Sequence, residues 1–406
     1  MNKGVVWLLI AVGVLGTVPW RMAAQNIVEV NGQTLTLPRL ELQEADWERL
    51  VREVPDWPLS LPGHGETSRV AAKLEAHVLA FLEGYPWRPM HHTLGISGYE
   101  TAFGHPEEMF YALALTLPYL SQATAERVRG FGRAQMEAGV LPFAARGPDW
   151  SKGRPREAFE VPEGYRAGAP AAARSLFGVY SFWVWCHATG DEAMARRYWP
   201  QVKEVVIPVL NGNYTFDPLK RDYVNDEAEQ LNGHLAGALG YARLARLNGD
   251  EGAMLAVRRR GLQWLQWRVD LERLNPKILE KSTRSASKSL HNNKLPRYCG
   301  LTPEIGAALR RHAQPVAAQR LAAFREERNG WWLAFGDRLV GGENYTNPLN
   351  FSRSLFAAAV FIEAAPVETL VKWVDIPWGQ GDFHFMEKCA LVLWQAGGGK
   401  WKPMAE

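Results

Sequence analysis

Residues 230–250 read QLNGHLAGALGYARLARLNGD. Leu231, Leu235, Ala238 and Ala242 recur at alternating four- and three-residue spacing, the apolar stripe of an amphipathic helix. Gly233, Gly237 and Gly240 follow the same spacing beside it, although each glycine costs a helix about 1 kcal/mol relative to alanine. Glycines are kept at such positions where another backbone must come close, so this helix is expected to lie inside the protein. It ends at Asn248-Gly249-Asp250, where Gly249 suits the left-handed carboxyl-cap conformation and Asp250 can cap a following helix. The stretch therefore predicts one helix, a tight corner and the start of the next.

The same corner occurs upstream in CHATGDEAMARRYWPQVKEVV, with Gly190 and Asp191 in the equivalent places. Working outward, helical spacing is found at about 68–84, 106–120, 122–138, 171–188, 191–208, 226–248, 250–270, 303–327, 349–364, 366–374 and 382–397. These candidates fall just short of six antiparallel pairs. The only alternating pattern is VEVNGQTLTL, where Asn31-Gly32 fits a two-residue hairpin turn. VPDWPLSLPGHGE, rich in proline and glycine, then reads as a connection. The expected organisation is a β-hairpin and linker over 25–65 and an all-α domain of helical hairpins over 66–406.

Residues 1–24 read as a signal peptide: Lys3 precedes the apolar run VVWLLIAVGVLGTV, and Ala23 and Ala24 supply small residues for cleavage. The run is shorter than the roughly 20 residues that span a bilayer, so the mature chain is expected to be secreted or periplasmic without stable membrane insertion. The chain has 406 residues, 47% hydrophobic and 22% charged, a composition that supports a large folded core. A formal net charge of +3 gives no field that points to nucleic acid, whereas 17 tryptophans offer stacking surfaces. The three cysteines are scattered, which excludes a disulfide framework and any Cys-x-x-Cys metal pair. Nucleotide loops, His-Glu-x-x-His and Gly-x-Ser-x-Gly are absent, and no cofactor or metal is expected.

Helical hairpins with glycine corners, an inner helix of small residues, abundant tryptophan and a signal peptide together resemble the six-hairpin glycosidase superfamily, whose fold is an (α/α)6 toroid. The stretch NGHLAGALGYARLARLNGD, with GAMLAVRRRGLQWL after it, is also similar to the carboxyl-terminal helical domain of the D-glucuronyl C5-epimerases. The resemblance implies a central cleft fed by the loops that precede the inner helices, and carbohydrate chemistry there. Toroids host hydrolases, lyases and epimerases, so fold alone does not choose among them.

Five loop segments carry the candidates. RPMHHTLGISGYETAFGHPEEMF offers His91, His92 and Tyr99 on a glycine-rich approach, then Glu107 and Glu108, which fit the first turn of a helix opened by Pro106. FAARGPDWSKGRPREAFEVPEGYRAG offers Asp149, Trp150 and Tyr165, with Arg166 able to hold a carboxylate; the aromatic rings can stack on a sugar face. FDPLKRDYVNDEAEQLNGH leads into the opening stretch, and Asp226 and Glu229 have both capping-box spacing and the potential to act as acid and base. Asn232 and His234 follow as deeper polar lining, though a histidine there also suits a core position. Further on stand Tyr345, then Trp378 and His384 around the start of the last helix. Between Glu280 and Gly300, a serine-rich segment carries Lys281, Arg284, Lys288, Lys294 and Arg297 without an acid, which suits either a solvated loop or a guide for an acidic chain.

These residues lead to a secreted carbohydrate-active enzyme, foremost a glycoside hydrolase with catalytic residues among Asp149, Asp226 and Glu229. The alternative is a uronate lyase or C5-epimerase in which Tyr345 or His234 removes a proton. A non-catalytic glycan-binding protein is the third. The expected partner is an oligo- or polysaccharide, acidic in the second case.

Overall fold

The computed structural model describes residues 25–30, 33–58, 65–83, 106–143, 176–219, 225–275, 300–314, 316–317, 356–375 and 383–404. Strands β1 (Gln25–Val30) and β2 (Gln33–Pro38) form an antiparallel hairpin, with Val30 opposite Gln33. Among the described residues, the elements after it are helices apart from two short strands. Helix α1 (Glu44–Arg52) leads into β3 (Glu53–Pro55), followed by α2 (Glu66–Leu82). Next come α3 (Pro106–Thr116), α4 (Gln122–Glu137), α5 (Phe177–Thr189) and α6 (Glu192–Asn211). Then follow α7 (Asn225–Leu247), α8 (Glu251–Leu274) and α9 (Pro303–Ala313). Helical turns at 356–361, α10 (Val367–Val374), α11 (Phe383–Ala396) and β4 (Trp401–Pro403) complete the described chain.

The corners form as the sequence predicts. Gly190 has φ 69° and Gly249 φ 65°, both left-handed. Asp191 accepts from the Met194 amide at 3.0 Å and Asp250 from the Ala253 amide at 3.0 Å, so each corner caps two helices at once.

The helices fall into two sets by burial. Phe177–Cys186 of α5, residues 231–245 of α7 and Phe383–Trp394 of α11 are buried without interruption, as is α3 from Met109 onward. A helix covered on every side must be surrounded by other elements. By contrast, α2, α4 and α6 bury a residue every three or four, as helices with one solvated face do.

Glycine sets how close the buried helices come. A Cβ added at Gly237 would lie 2.1 Å from the Leu176 Cβ, and one at Gly240 would lie 2.6 Å from the Tyr180 Cα. Both contacts advance in the same direction along the two chains, so α5 and α7 run parallel. Likewise the Ser181 hydroxyl donates to the Glu107 carbonyl at 2.5 Å, and further along Trp185 meets Phe110 edge-on, so α3 and α5 are also parallel. Onward, α9 is joined to α7 through Arg243 and Glu304, Gly306 of α9 packs on Phe361, and Phe361 meets Trp394 of α11. Finally α11 packs against α3 and α2. The outward-facing helices make their own contacts, with α2 touching both α4 and α10, and α6 touching α8.

Two features depart from the sequence expectation. Residues 44–52, read as part of a hairpin and linker, form α1, whose Trp47 is 1% exposed and lies where a Gly261 side chain would be. Strand β4 pairs with β3, with Glu53 opposite Pro403. Segment 39–58 thus shares the main core. Among the described residues no helix is long and apolar enough to cross a membrane.

Candidate functional site

Chain lengths separate the two ends of the buried helices. The turns leaving α5 and α7 take two or three residues, and α10 follows the 356–361 turns after five. The stretches entering α3, α5, α7, α9 and α11 are all longer, and they hold most of the polar candidates. Ser181 on Glu107 joins the first turns of α5 and α3, and Tyr180 on Glu304 joins those of α5 and α9. These entry ends are therefore neighbours.

At this end Glu108, in the first turn of α3, meets His384 and Glu387 of α11, and one potential ligand atom from each lies within 4.8 Å of the others. The His384 Nδ1 is 4.0 Å from Glu387 Oε1. His384 is 1% exposed and Glu387 4%, so both act out of bulk water. Their three-residue spacing puts them on one face of α11. Pro106 opens α3 as expected. Glu387 also borders a cavity of about 20 Å³, room for about one water, together with Tyr111, Leu301, Phe356 and Lys388. Glu387 thus belongs both to the cluster with Glu108 and His384 and, with Lys388, to the lining of this small space.

A second polar centre lies beside it. Arg243 of α7 donates to Glu304 at 2.7 Å, with both side chains at most 1% exposed. Its other donors reach the carbonyls of Leu50, Val51 and Glu53 at 2.7–3.1 Å, closing the carboxyl end of α1. The guanidinium lies 4.0 Å from the centre of the Trp183 ring. Tyr180 donates to the other oxygen of Glu304 at 2.7 Å, and burial, with Glu304 next, pushes its hydroxyl well above the ordinary tyrosine range. With every group partnered, this centre fixes the relative positions of α1, α5, α7 and α9.

Asn232 and His234, earlier in the same helix as Arg243, meet α8 instead. Asn232, fully buried, accepts from Arg268 Nε of α8 at 2.8 Å, and Arg268 is paired with Glu272 at 3.1 Å. His234 stacks on Trp264 of α8 with ring centres 5.3 Å apart, and Tyr214 meets it edge-on at 4.6 Å. Burial lowers the His234 pKa to about 4, so the ring is neutral at pH 7. Both residues sit in the seam between α7 and α8, where their present contacts hold that seam together.

Asp226 and Glu229 belong to the first two turns of α7, inside the helix rather than before it. His91, His92, Tyr99, Asp149, Trp150, Tyr165, Arg166, Tyr345 and Trp378 lie outside the described residues, as do residues 1–24 and the basic segment before Gly300. Glu387 and Glu304 escape sequence reasoning because each sits within an apolar helical pattern. The one local sign is that Glu387 stands three residues after His384.

No family model matches the chain, and no curated protein or solved structure matches it either.

Proposed function

We propose that this chain is a secreted carbohydrate-active enzyme built as an (α/α)6 toroid, and specifically a glycoside hydrolase acting at the entry ends of its inner helices. One observation carries the reading: the buried helices contact one another in sequence order from α3 through α5, α7, α9 and the 356–361 turns to α11, which returns to α3. That succession, with parallel neighbours and a surrounding set of amphipathic helices, is what an inner ring of six requires.

The register of α7 supports a cleft at that end. Leu176, at the start of α5, meets Gly237, so the α7 residues before Gly237 extend beyond the start of α5 by about 18 Å at 1.5 Å per residue. Asp226 and Glu229 ride on this projection. In the proposed reaction one carboxylic acid among Asp149, Asp226 and Glu229 protonates the leaving glycosidic oxygen, and another, as carboxylate, activates water. Trp150, Tyr165 and Trp378 stack on sugar rings while His91, His92, Tyr99 and Arg166 serve as polar contacts; His384, expected among them, is buried away from a glycan.

The basic segment before Gly300 precedes α9 in the sequence, and its charge favours an acidic glycan and a second reading: a uronate lyase or epimerase with Tyr345 as base. The test is incubation with neutral and acidic polysaccharides, following reducing ends and the ultraviolet absorbance of unsaturated uronate. New reducing ends without absorbance, with kcat reduced by about 100-fold or more in Asp226→Asn or Glu229→Gln, are the expected result. Absorbance rising with reducing ends would replace hydrolysis by elimination, and proton exchange at C5 alone would indicate epimerisation. Saturable binding without a product would leave a glycan-binding protein.

A further inference from the structure

We infer that Glu108, His384 and Glu387 form a binding site for one divalent first-row metal ion of the zinc or manganese kind. The inference concerns metal content and stands whether or not the chain cleaves a glycan.

The donor set sets the class of ion. One imidazole and two carboxylates suit Zn²⁺, Mn²⁺, Fe²⁺ and Co²⁺, while the absence of a thiolate disfavours Cu(I) and the imidazole disfavours Ca²⁺ and Mg²⁺. A neutral imidazole with two carboxylates also matches the charge of a divalent ion.

The spacing fits closure around an ion. Metal–ligand bonds of about 2.0–2.2 Å place two donors about 3.0–3.6 Å apart. The three donor atoms lie within 4.8 Å of one another, and the His384 Nδ1 to Glu387 Oε1 distance is 4.0 Å. Closure on an ion requires the donors to move together by about 1 Å, on the scale of a side-chain rotation. The framework is equally suitable: His384 and Glu387 occupy one face of α11, and Glu108 comes from α3, which packs against it. Helical bundles hold metal with Glu-x-x-His pairs and glutamates from neighbouring helices; here the three-residue spacing is kept with the order reversed, His384 before Glu387, and one glutamate faces it. Burial of His384 and Glu387 shields the donors from water, unlike an acidic patch on a surface.

Three features oppose the ion. The amino-terminal dipoles of α3 and α11 disfavour a cation by about 1 kcal/mol each, and Lys388 lies beside Glu387 around the cavity. Metal binding of the order of 10 kcal/mol exceeds the dipole contribution. Lys388 is the competitor: if it alone balances the carboxylates, no metal binds.

The experiment takes the full chain, freed of any affinity tag, strips it with chelator and titrates it with Zn²⁺, Mn²⁺, Mg²⁺ or Ca²⁺. Bound metal is measured after gel filtration. Close to one Zn²⁺ or Mn²⁺ per chain is expected, with affinity falling at least tenfold in both Glu108→Gln and Glu387→Gln and unchanged in Glu126→Gln on the outer helix α4. Sub-stoichiometric metal in the wild type would overturn the inference, as would full binding retained by both glutamate variants. Should a variant fail to fold, Co²⁺ bound to the wild type decides: visible bands of nitrogen and oxygen ligation are expected, and their absence, or thiolate charge-transfer bands, would overturn it.

Discussion

Arg243 shows what one buried side chain does here. It serves an ion pair, three carbonyl oxygens and an aromatic face at once. Replacing it by Met leaves the Glu304 carboxylate without its cation and the end of α1 without its donor, and removal of one partner of a buried pair costs about 3–5 kcal/mol. Urea unfolding of Arg243→Met should show that loss. The double variant Arg243→Met, Glu304→Leu should recover part of it, because the buried charge is then gone. His234 makes a pH prediction. Its folded pKa of about 4 lies below the ordinary value of 6.5, so between these values the unfolded chain binds the extra proton and stability rises with pH. On acidification from pH 7 to 5 the histidine should account for about 2 kcal/mol of lost stability. His234→Phe keeps an aromatic ring against Trp264 and removes the titration. Its unfolding free energy should therefore fall less over that interval, and a slope equal to the wild type's would mean that His234 takes up its proton equally in the folded and unfolded chains.

Helix packing makes opposite predictions for two glycines in helices. At Gly130 of α4 nothing lies within 4 Å of an added Cβ, so Gly130→Ala should gain up to about 1 kcal/mol from helix propensity. At Gly237 the same methyl would stand 2.1 Å from the Leu176 Cβ and 2.3 Å from its carbonyl oxygen. There the clash should outweigh the propensity and cost about 1–3 kcal/mol, with α5 and α7 forced apart. Thermal melts of both variants check the contrast, and equal shifts would mean that the close approach is not required. The sequence makes this seam legible because glycines at helical spacing and Gly-Asp corners act locally. Helix α1 is harder to read. Its nine residues are marginal alone, and their order depends on Gly261 and Arg243, about 200 positions away. Strand β3 needs β4 at the far end of the chain for the same reason.

Across the whole molecule, the site divides along the same line between local and distant information. His384 is visible from its place at a helix start, but Glu387 gains meaning only when Glu108 is brought beside it from α3, and no periodicity in either helix records that meeting. Asn232 and His234 are visible as polar groups in an apolar helix, yet their direction is decided by Arg268 and Trp264 of α8. The meeting of α3 with α11 joins the beginning and end of the helical succession, and a second connection reinforces it. Strand β4 pairs with β3, the Asp56 amide donates to the Lys400 carbonyl at 2.8 Å, the Met404 amide donates to Arg52 at 2.6 Å, and Trp401 meets Trp394 edge-on. Ending the chain after Gly399 removes these contacts and leaves every helix intact. At about 0.5–1.5 kcal/mol for each net hydrogen bond and a similar amount for the aromatic pair, the truncated chain should lose about 2–5 kcal/mol. If the helices form one closed assembly, the loss should appear as a single unfolding transition shifted to lower urea, with circular dichroism and tryptophan fluorescence falling together. A separate early transition confined to part of the signal would show instead that α11 and its neighbours unfold independently of the rest.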